Sequence, residues 1–489
     1  MAHFLPQSRL SAAEREQGLR LVLYDGVASQ AMLTFTGGAF LVAFALQLGA
    51  SNVQIGLLSA IPTLANVFQL WSIRLVQRYP RRQVVVYASI LGRTMFFLIA
   101  AIPFLPGASP VLVLLLGTMA LQINLSVAGG SWTSWMHDLI PRERLGQFFS
   151  RRMRWSQTVG IGLSLVCAVG LDAFQRQATD STLGYVVLFL LGGIAGMVGV
   201  GLLVRTPEPA IRPVQRRFGE LLRQPFRSVN FRALIIYNAL WNFAVNLAAP
   251  FFTVYLLQQL NFSITYVIVL TTLSQVTTVF ALRWWGHYAD RHGYKSILSL
   301  CAPLYLVCIL GWTFATFPDP HRFTLPLLVV LHALMGVATA GTGLSASSIG
   351  LKLAPEGEGV SYLAVISFTN ALAAGAAPVV GGLLADFFLR KQLSLQLAWS
   401  SERYQQTFRA LDVQGWDFFF LFSFVLGMVA LYRLAYVQER GEVAEKSLVE
   451  EIKLDIQREM RNLSTITGLR SAINFPVSFY RRVAGRGKE

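Results

Sequence analysis

Charged residues are scarce in this chain. Only 13% of its 489 residues are Asp, Glu, Lys or Arg, whereas about 25% is usual for soluble domains. Hydrophobic residues make up 54% of the chain, and its mean hydropathy is +0.52. Apolar runs of about twenty residues recur, and each is long enough to cross a hydrocarbon core of about 30 Å as a helix. These features exclude a soluble globular protein and predict an all-α membrane protein.

Motifs of several other functional classes are also absent. The sequence has no phosphate-binding Gly-x-x-x-x-Gly-Lys-Ser/Thr loop, which argues against ATP-driven pumping. Cys167, Cys301 and Cys308 lie in apolar runs without the spacing of metal ligands, as is typical of small core residues. Because no catalytic constellation is present, we expect neither enzyme activity nor a cofactor.

The basic residues indicate how the chain crosses the membrane. Lys and Arg are frequent before the first span and after the second, fourth and sixth, whereas the turns near residues 49, 106 and 261 have none. The positive-inside rule then places both termini and the central loop in the cytoplasm. The net charge of +16 is thus interpreted as a topology signal, with lipid headgroups and not nucleic acid as its partners. We predict about twelve spans, centred near residues 38, 63, 94, 123, 160, 193, 244, 273, 305, 335, 373 and 427.

The two halves of the sequence resemble each other at an offset of about 212 to 214 residues. Residues 40–60 match residues 252–272, Pro141 aligns with Pro355, and Asp172-Ala173-Phe174 aligns with Asp386-Phe387-Phe388. Matches in one register indicate the internal repeat of a transporter and predict two pseudo-symmetric six-helix bundles. The predicted divisions are a cytoplasmic N-terminal segment (1–27), an N-terminal bundle (28–204), a cytoplasmic central loop (205–230), a C-terminal bundle (231–437) and a cytoplasmic amphipathic tail (438–489).

Two polar stretches carry a family resemblance. After the eighth span, residues 286–295 read Gly-x-x-x-Asp-Arg-x-Gly-x-Lys, and after the fourth, residues 138–149 read Asp-x-x-Pro-x-x-x-x-Gly-x-Phe-Phe. With the twelve-span layout, these motifs resemble the major facilitator superfamily over about residues 20–437. The resemblance implies two bundles that rock about a central cavity and carry a small molecule by alternating access. It does not identify the substrate.

The stretch after the eighth span is interpreted as half of a cytoplasmic gate. The resemblance implies that the loop between helices eight and nine lies against helix five. Asp290, in a turn with Arg291 and Gly293, would then meet Arg151 and Arg152 and the positive end of that helix.

The pseudo-symmetric loop between helices two and three forms the other half of this hypothesis. There Arg78 and Arg82 would face Glu356 and Glu358 at the start of helix eleven. Opposite charges across both interfaces would hold the outward-open state. The alternative is that these arginines only set the topology by contacting lipid phosphates.

Ionisable residues inside spans are candidate functional groups, because a bilayer penalises them. Arg93 lies about ten residues into the third span, and the sequence shows no acidic residue at comparable depth in this half. It is therefore predicted to bind an anionic substrate group. His332 and Asp25 are candidates for proton coupling. The alternatives are backbone or snorkelling contacts for Arg93, simple packing for His332, and a helix boundary for Asp25.

Uncharged polar residues supply the rest of the predicted cavity. Asn238, Asn242 and Asn246 recur every four residues and form one stripe on helix seven, beside Trp241, which could stack on a ligand. The alternative for these residues is hydrogen bonding between helices. The predicted substrate-binding residues are Arg93, Gln122, Asn124, Gln157, Asn238, Trp241, Asn242, Asn246 and Asn370.

The tail after residue 438 differs from the rest of the chain. Leu448 and Ile452 fall at helical spacing among charged residues, which predicts a helix on the bilayer or on the bundles. The sequence therefore leaves two functions open. One is a monomeric plasma-membrane transporter for a small anionic or amphipathic molecule. The other is a non-transporting scaffold, receptor or assembly factor that binds a cytoplasmic partner through this tail.

Overall fold

The structure, a computed structural model, is almost entirely helical. It describes residues 6, 10–106, 109–141, 144–177, 181–210, 225–316, 322–355, 359–401, 404–439, 448–455 and 457. The helices of the N-terminal half are α1 (Ala12–Gln47, broken at Gly37), α2 (Asn52–Ala65, the 3-10 turn Asn66–Phe68, and Gln69–Val76), α3 (Arg81–Ala100, then the 3-10 turn Ile102–Phe104), α4 (Pro110–Leu139), α5 (Leu145–Gln177) and α6 (Thr182–Arg205).

The C-terminal half repeats this series and adds a hairpin. Its elements are α7 (Val229–Val254, then the π-helical turn Tyr255–Gln259), α8 (Ile264–His292), α9 (Tyr294–Gly311, then the 3-10 turn Trp312–Ala315), α10 (Thr324–Lys352), α11 (Gly359–Phe388), β1 (Gln392–Ser401), β2 (Tyr404–Gln414), α12 (Gly415–Leu434) and α13 (448–455).

The predicted all-α membrane fold is confirmed. Within the described residues, eleven helices are long and apolar enough to cross a membrane, and the shorter apolar helix Asn52–Phe68 belongs to α2. Each of the twelve predicted span centres lies inside one of α1–α12. A capping box begins α1, since the amide of Glu14 donates to Ser11 Oγ (3.2 Å) and the amide of Ser11 donates to Glu14 Oε2 (2.9 Å).

The β-hairpin lies between α11 and α12, where no secondary structure was predicted. Its strands pair antiparallel, with Gln392 opposite Gln414 and Ser401 opposite Tyr404. In β1, leucines at 393, 395 and 397 alternate with polar residues, the period expected of a strand. This alternation is the signal in the sequence that indicates the strand.

The loops divide the molecule into two faces. We call the face that carries the loops after α2, α4, α6, α8 and α10 the terminal face, because α1 begins there and α12 ends there. The opposite face, with the hairpin, is the distal face. At the distal ends of α7, α9 and α12, Phe252 stacks on Trp312 (ring centroids 4.5 Å apart) and on Phe420 (5.4 Å). This aromatic packing holds three helices of the C-terminal half together.

The two halves meet mainly along α2 with α11 and along α5 with α8. A Cβ atom added at Gly56 of α2 would overlap the carbonyl oxygen of Pro378 in α11, and one added at Gly382 would lie 2.6 Å from the Cα of Val53. Segments Ala12–Thr36 and Gln69–Val76, which extend α1 and α2 to the terminal face, pack mainly on their own half. The halves are therefore closed together at the distal face and separate towards the terminal face.

We predict that Gly56→Ala loosens the distal contact, because the new methyl group would overlap Pro378. Overpacking of this kind costs about 1–3 kcal/mol when the neighbours cannot move. A cysteine placed at Val53 should then react several times faster with a membrane-impermeant maleimide. Gly201→Ala is the control, since a Cβ at Gly201 meets nothing within 4 Å. Equal labelling rates in both variants would contradict the predicted role of this packing.

Candidate functional site

A polar cavity lies in the N-terminal half between α2 and α4. Its volume is about 300 Å³, and it runs from the middle of α4 towards the terminal face. The 3-10 turn in α2 places Asn66 on its wall, where Ser126 Oγ of α4 donates to Asn66 Oδ1 (3.4 Å). Of the predicted substrate-binding residues, Gln122 lies here. The cavity is lined by Asn66, Gln69, Gln122, Leu125, Ser126, Gly129, Trp132 and Thr133.

Arg152 of α5 contacts Trp132, one of the residues that line this cavity. Its guanidinium lies over the ring of Trp132, 4.9 Å from the centroid, and its Nη2 is 3.5 Å from Asp25 Oδ2 of α1. Gly26 leaves room for this arrangement, because a Cβ there would lie 2.6 Å from Arg152 Nε. Arg152 was predicted to be a gate residue facing the other half. Its ion pair lies instead within its own half.

Arg93 of α3 is buried on the other side of Asp25. Its Nη2 donates to Ser29 Oγ (3.2 Å), Ser29 Oγ donates to Asp25 Oδ1 (3.2 Å), and its Nη1 donates to the carbonyl of Gly196 in α6. The expectation that no acidic residue lies at the depth of Arg93 is wrong. Since α1 begins at Ala12, Asp25 lies about 20 Å along that helix, at 1.5 Å per residue.

Two other predicted residues of this half lie outside the cavity wall. The side-chain amide of Asn124 donates to the carbonyl of Ala120 (2.8 Å), and its Cβ lies 3.1 Å from the position that a Cβ on Gly92 of α3 would take. Asn124 therefore packs on α3. Gln157 is exposed on α5.

The asparagine stripe on α7 has an unusual pattern of hydrogen bonds. The side chains of Asn242 and Asn246 each donate to the carbonyl four residues earlier (2.8 Å). Asn238 is completely buried, and neither of its amide atoms has a partner among the described residues. Asn370 Oδ1 of α11 is likewise buried without a described partner. Such groups cost free energy, and they mark α7 and α11 as places where a ligand or another conformation would satisfy them.

Trp241 does not share the face of this stripe. Its ring stacks on Tyr237 (6.3 Å) and packs edge-on against Tyr305 of α9 (5.9 Å). His332 also lies in packing. Its Nδ1 is 2.8 Å from the carbonyl of Leu328, and its ring is 5.3 Å from that of Trp312. The structure therefore separates His332 from Asp25, since the two lie in different halves.

Arg82, one of the two predicted gate arginines between α2 and α3, and the neighbouring Arg81 have described partners in their own half. The amides of Arg81 and Arg82 donate to Glu208, just after α6 (2.8 and 3.1 Å), and Arg81 Nη1 is 2.5 Å from Asp138 Oδ2. The chain after α6 folds back beneath α3, where a carboxylate meets the free amides of a helix start. The described partner of the Arg82 amide is thus Glu208, whereas the contact of Arg82 with Glu356 and Glu358 stays a prediction.

The remaining members of that gate make no described contact between the halves. Arg78 and Arg151 are exposed. Glu356, Glu358 and the side chain of Asp290 lie outside the described residues.

The loop after α8 contacts the tail of the same chain. Arg291 Nη1 lies 2.7 Å from Glu451 Oε1 of α13, and His292 Nε2 lies 3.1 Å from the other oxygen. Gly293 turns the chain with φ of +87°, and Glu439 accepts from the amide of Lys295 (2.7 Å). A carboxylate again meets a helix start, here that of α9.

The first turns of the tail thus dock on the C-terminal half. Leu448 is completely buried in a cluster with Trp285 and Ile297, and Tyr288 Oη donates to Asp455 (3.0 Å). The predicted amphipathic helix therefore begins as a packed part of this half.

The distal face has two charged contacts that the sequence analysis missed as a site. Asp172 near the end of α5 accepts from the amides of Ile264 (3.2 Å) and Thr265 (3.0 Å), which begin α8. Asp386 near the end of α11 accepts from Asn52 Nδ2 (2.8 Å), which begins α2. Both contacts join the halves. The two aspartates are the pair that the internal repeat aligns, which was the available signal.

Removing the Asp172 carboxylate should free the start of α8. Hydrogen bonds to charged groups contribute about 1.5–3 kcal/mol, so amide exchange at residues 264 and 265 in Asp172→Ala should accelerate about 10- to 100-fold. Hydrogen–deuterium exchange by mass spectrometry measures this rate. Gln177→Ala, exposed at the same helix end, is the control. If exchange in Asp172→Ala is unchanged, this contact does not help to hold the distal face closed.

Truncating Leu448 should detach the tail, because a fully buried leucine contributes about 2–5 kcal/mol over alanine. We expect Leu448→Ala to accelerate tryptic cleavage after the exposed Lys453 severalfold. The neighbouring Val449, which is 47% exposed, supplies the control variant Val449→Ala. Equal cleavage of the two variants would show that the docking of α13 does not depend on Leu448.

The fold and the site define the class of protein. It is a multi-pass α-helical membrane protein with two similar halves and a polar cavity in the N-terminal half. The family description Major Facilitator Superfamily matches residues 26–378 and again residues 234–480. The chain belongs to this superfamily of membrane transporters. A search of curated protein sequences found no match.

Solved structures support the same fold. The nucleoside transporter NupG is 15% identical, with a TM-score of 0.63 over 87% of this chain and 98% of that one. A bacterial homologue of the iron transporter ferroportin, in an inward-facing state, is 15% identical, with a TM-score of 0.60 over 88% and 100% of the two chains. The D-xylose–proton symporter is 15% identical, with a TM-score of 0.57 over 88% and 98%. Similarity at this level concerns the fold alone.

Proposed function

We propose that this protein is a secondary transporter that moves a small molecule across the plasma membrane by alternating access, and that it has no enzyme activity. One observation carries the proposal. At the distal face the halves pack along α2 and α11 and are joined by the polar contacts of Asp172 and Asp386, while the polar cavity runs towards the terminal face, where the halves separate. A carrier needs such an arrangement, because the same cavity must open to each side in turn.

The terminal face is proposed to be cytoplasmic. Arg74, Arg78, Arg81 and Arg82 cluster between α2 and α3, while the distal turns after α1, near residue 49, and after α3, near residue 106, carry no Lys or Arg. By the positive-inside rule both termini are then cytoplasmic, and the closed distal face is external. The moving bodies are the bundles predicted at 28–204 and 231–437, joined by the loop 205–230, and the protein works as a monomer.

Residues from both halves are proposed to contact the cargo. Gln122 supplies an amide on the wall of the N-terminal cavity. Asn238 and Asn370, with amide atoms that lack described partners, are the candidates in the C-terminal half. Asp25 is the better candidate for proton coupling, because its carboxylate pairs with Arg152 beside the cavity, whereas His332 is held by packing.

The identity of the cargo is open to direct test. The similar structures are named for a nucleoside, iron and D-xylose, and the same fold therefore serves chemically different cargoes. A panel should contain these classes together with small organic anions.

A reversible disulfide bond across the distal face tests whether the protein transports by alternating access. Asn52 and Asp386, whose side chains lie 2.8 Å apart, are both replaced by cysteine, and the purified protein is placed in liposomes. We expect saturable exchange of one labelled panel member in the reduced protein. Oxidation to a disulfide should abolish exchange, and reduction should restore it.

The single variant Asn52→Cys, which cannot form the disulfide, is the control and should be insensitive to oxidant. Exchange that continues in the oxidised double variant would exclude alternating access at this interface. If the wild-type protein exchanges no panel member, the proposal of transport fails in favour of the scaffold function.

A further inference from the structure

The N-terminal half holds a buried group of charges that does not balance. Two guanidinium groups, Arg93 and Arg152, share the single carboxylate of Asp25. The other acidic residues described in this half lie elsewhere. Glu14 and Glu16 are exposed near the start of α1, Asp138 and Glu208 lie with Arg81 at the terminal face, and Asp172 lies at the distal face. Counted over the described residues, the group therefore carries one excess positive charge. A low-dielectric membrane interior penalises such a charge unless an anion joins it.

The two arginines differ in how far they are available. Arg93 is only 5% exposed, and both of its terminal nitrogens already donate, to Gly196 and Ser29. The Arg152 side chain is 24% exposed, whereas that of Asp25 is 4% exposed. In the described part of the chain, Arg152 uses Nε towards the carbonyl of Val22 and Nη2 towards Asp25. An arginine has five N–H donors, so Arg152 retains donors for a ligand.

The surroundings of Arg152 indicate what kind of molecule would fit. The ring of Trp132 lies below the guanidinium and also lines the cavity of about 300 Å³. The other polar groups on the wall are the amides of Asn66, Gln69 and Gln122 and the hydroxyls of Ser126 and Thr133, all uncharged. One cationic fork beside neutral donors and acceptors suits a small molecule with one anionic group and a polar or flat body.

We propose that Arg152 binds the anionic group, a carboxylate or phosphate, of the transported molecule, and that Asp25 orients its guanidinium between binding events. This assignment extends the proposed function. It rests on that function only for the claim that the bound anion is transported. It moves the anion-binding role from Arg93, where the sequence alone placed it, to the more accessible arginine of the same charged group. Arg93 then acts through Asp25 as a positioning residue.

Ligand binding to the purified full chain in detergent tests this assignment without any flux. The probes are benzoate, succinate and glycerol phosphate, each matched with its neutral counterpart, benzamide, succinamide or glycerol. A ligand raises the unfolding temperature of the state that it binds. We expect at least one anion to raise the unfolding temperature and its neutral counterpart to leave that temperature unchanged. Arg152→Gln should increase the anion concentration that gives half of the maximal shift by at least about thirtyfold, because the bound anion would lose its cationic partner.

Three further variants make the result specific. Arg154→Gln removes an exposed arginine of the same helix and should leave the response unchanged. Arg152→Lys keeps the charge without the planar fork and should give an intermediate loss. Asp25→Asn removes the competing carboxylate and should tighten anion binding by about tenfold if it folds. If it does not fold, the comparison of Arg152→Gln with Arg152→Lys decides the question.

The phosphate of a lipid headgroup offers the same chemistry, and a second arm separates the two sources. Unfolding is repeated in phosphatidylcholine nanodiscs with and without phosphatidylglycerol. The proposal is supported if a soluble anion raises the unfolding temperature in both kinds of nanodisc and Arg152→Gln removes this effect. A stabilisation that only phosphatidylglycerol produces, and that Arg152→Gln removes, would make the site a lipid site and overturn it.

The remaining outcomes also separate this inference from the proposed function. An anion response that is equal in wild type and Arg152→Gln, a preference for the neutral counterparts, or no response to any probe overturns the assignment of Arg152. Flux of a neutral molecule that Arg152→Gln leaves unchanged overturns it as well, while transport itself stands. An Arg152-dependent anion response without any flux in liposomes would refute transport and leave the binding site in place.

Discussion

The closure of the distal face depends on carboxylates that meet the first residues of helices in the opposite half. Asp172 takes the free amides of α8, and Asp386 takes the side chain of Asn52 at the start of α2. Around them, α2 and α11 pack closely enough that only glycine fits at position 56. Each hydrogen bond to an aspartate is part-buried and contributes about 1.5–3 kcal/mol. The arrangement can therefore hold the distal face closed and can still release it.

The same chemistry serves a different purpose at the terminal face. Glu208 caps the start of α3 and Glu439 caps the start of α9, and each remains within its own half. Arg82, which was predicted to form a gate between the halves, thus contacts a carboxylate of its own half. Arg291 extends the pattern, because its partner Glu451 belongs to the docked tail. The halves are internally tied by charge at the terminal face and joined to each other at the distal face.

The order of the helices was predictable from sequence because hydropathy and basic loops act locally. Gln122, which was predicted to bind substrate, lines the cavity between α2 and α4, and its contact with a cargo stays a prediction. The partners of Arg82, Arg152 and Arg93 were not predictable in the same way. They depend on where the chain after α6 returns and on how far α1 extends before it enters the bundle, and neither leaves a local pattern. The aspartates of the distal face were aligned by the internal repeat, but alignment alone does not say what each carboxylate touches.

The central claim is that the two halves move as bodies, so that one face opens as the other closes. Distances between spin labels on opposite halves test it most directly, in lipid nanodiscs. One pair lies at the terminal face, at Gln77 and Pro355, and the other at the distal face, at Gln177 and Arg390, all four being exposed. Comparison of the wild type with the double variant Asp172→Ala, Asp386→Ala should show the distal distance lengthening while the terminal distance shortens. Distances that both stay fixed, or that both lengthen together, would contradict the account.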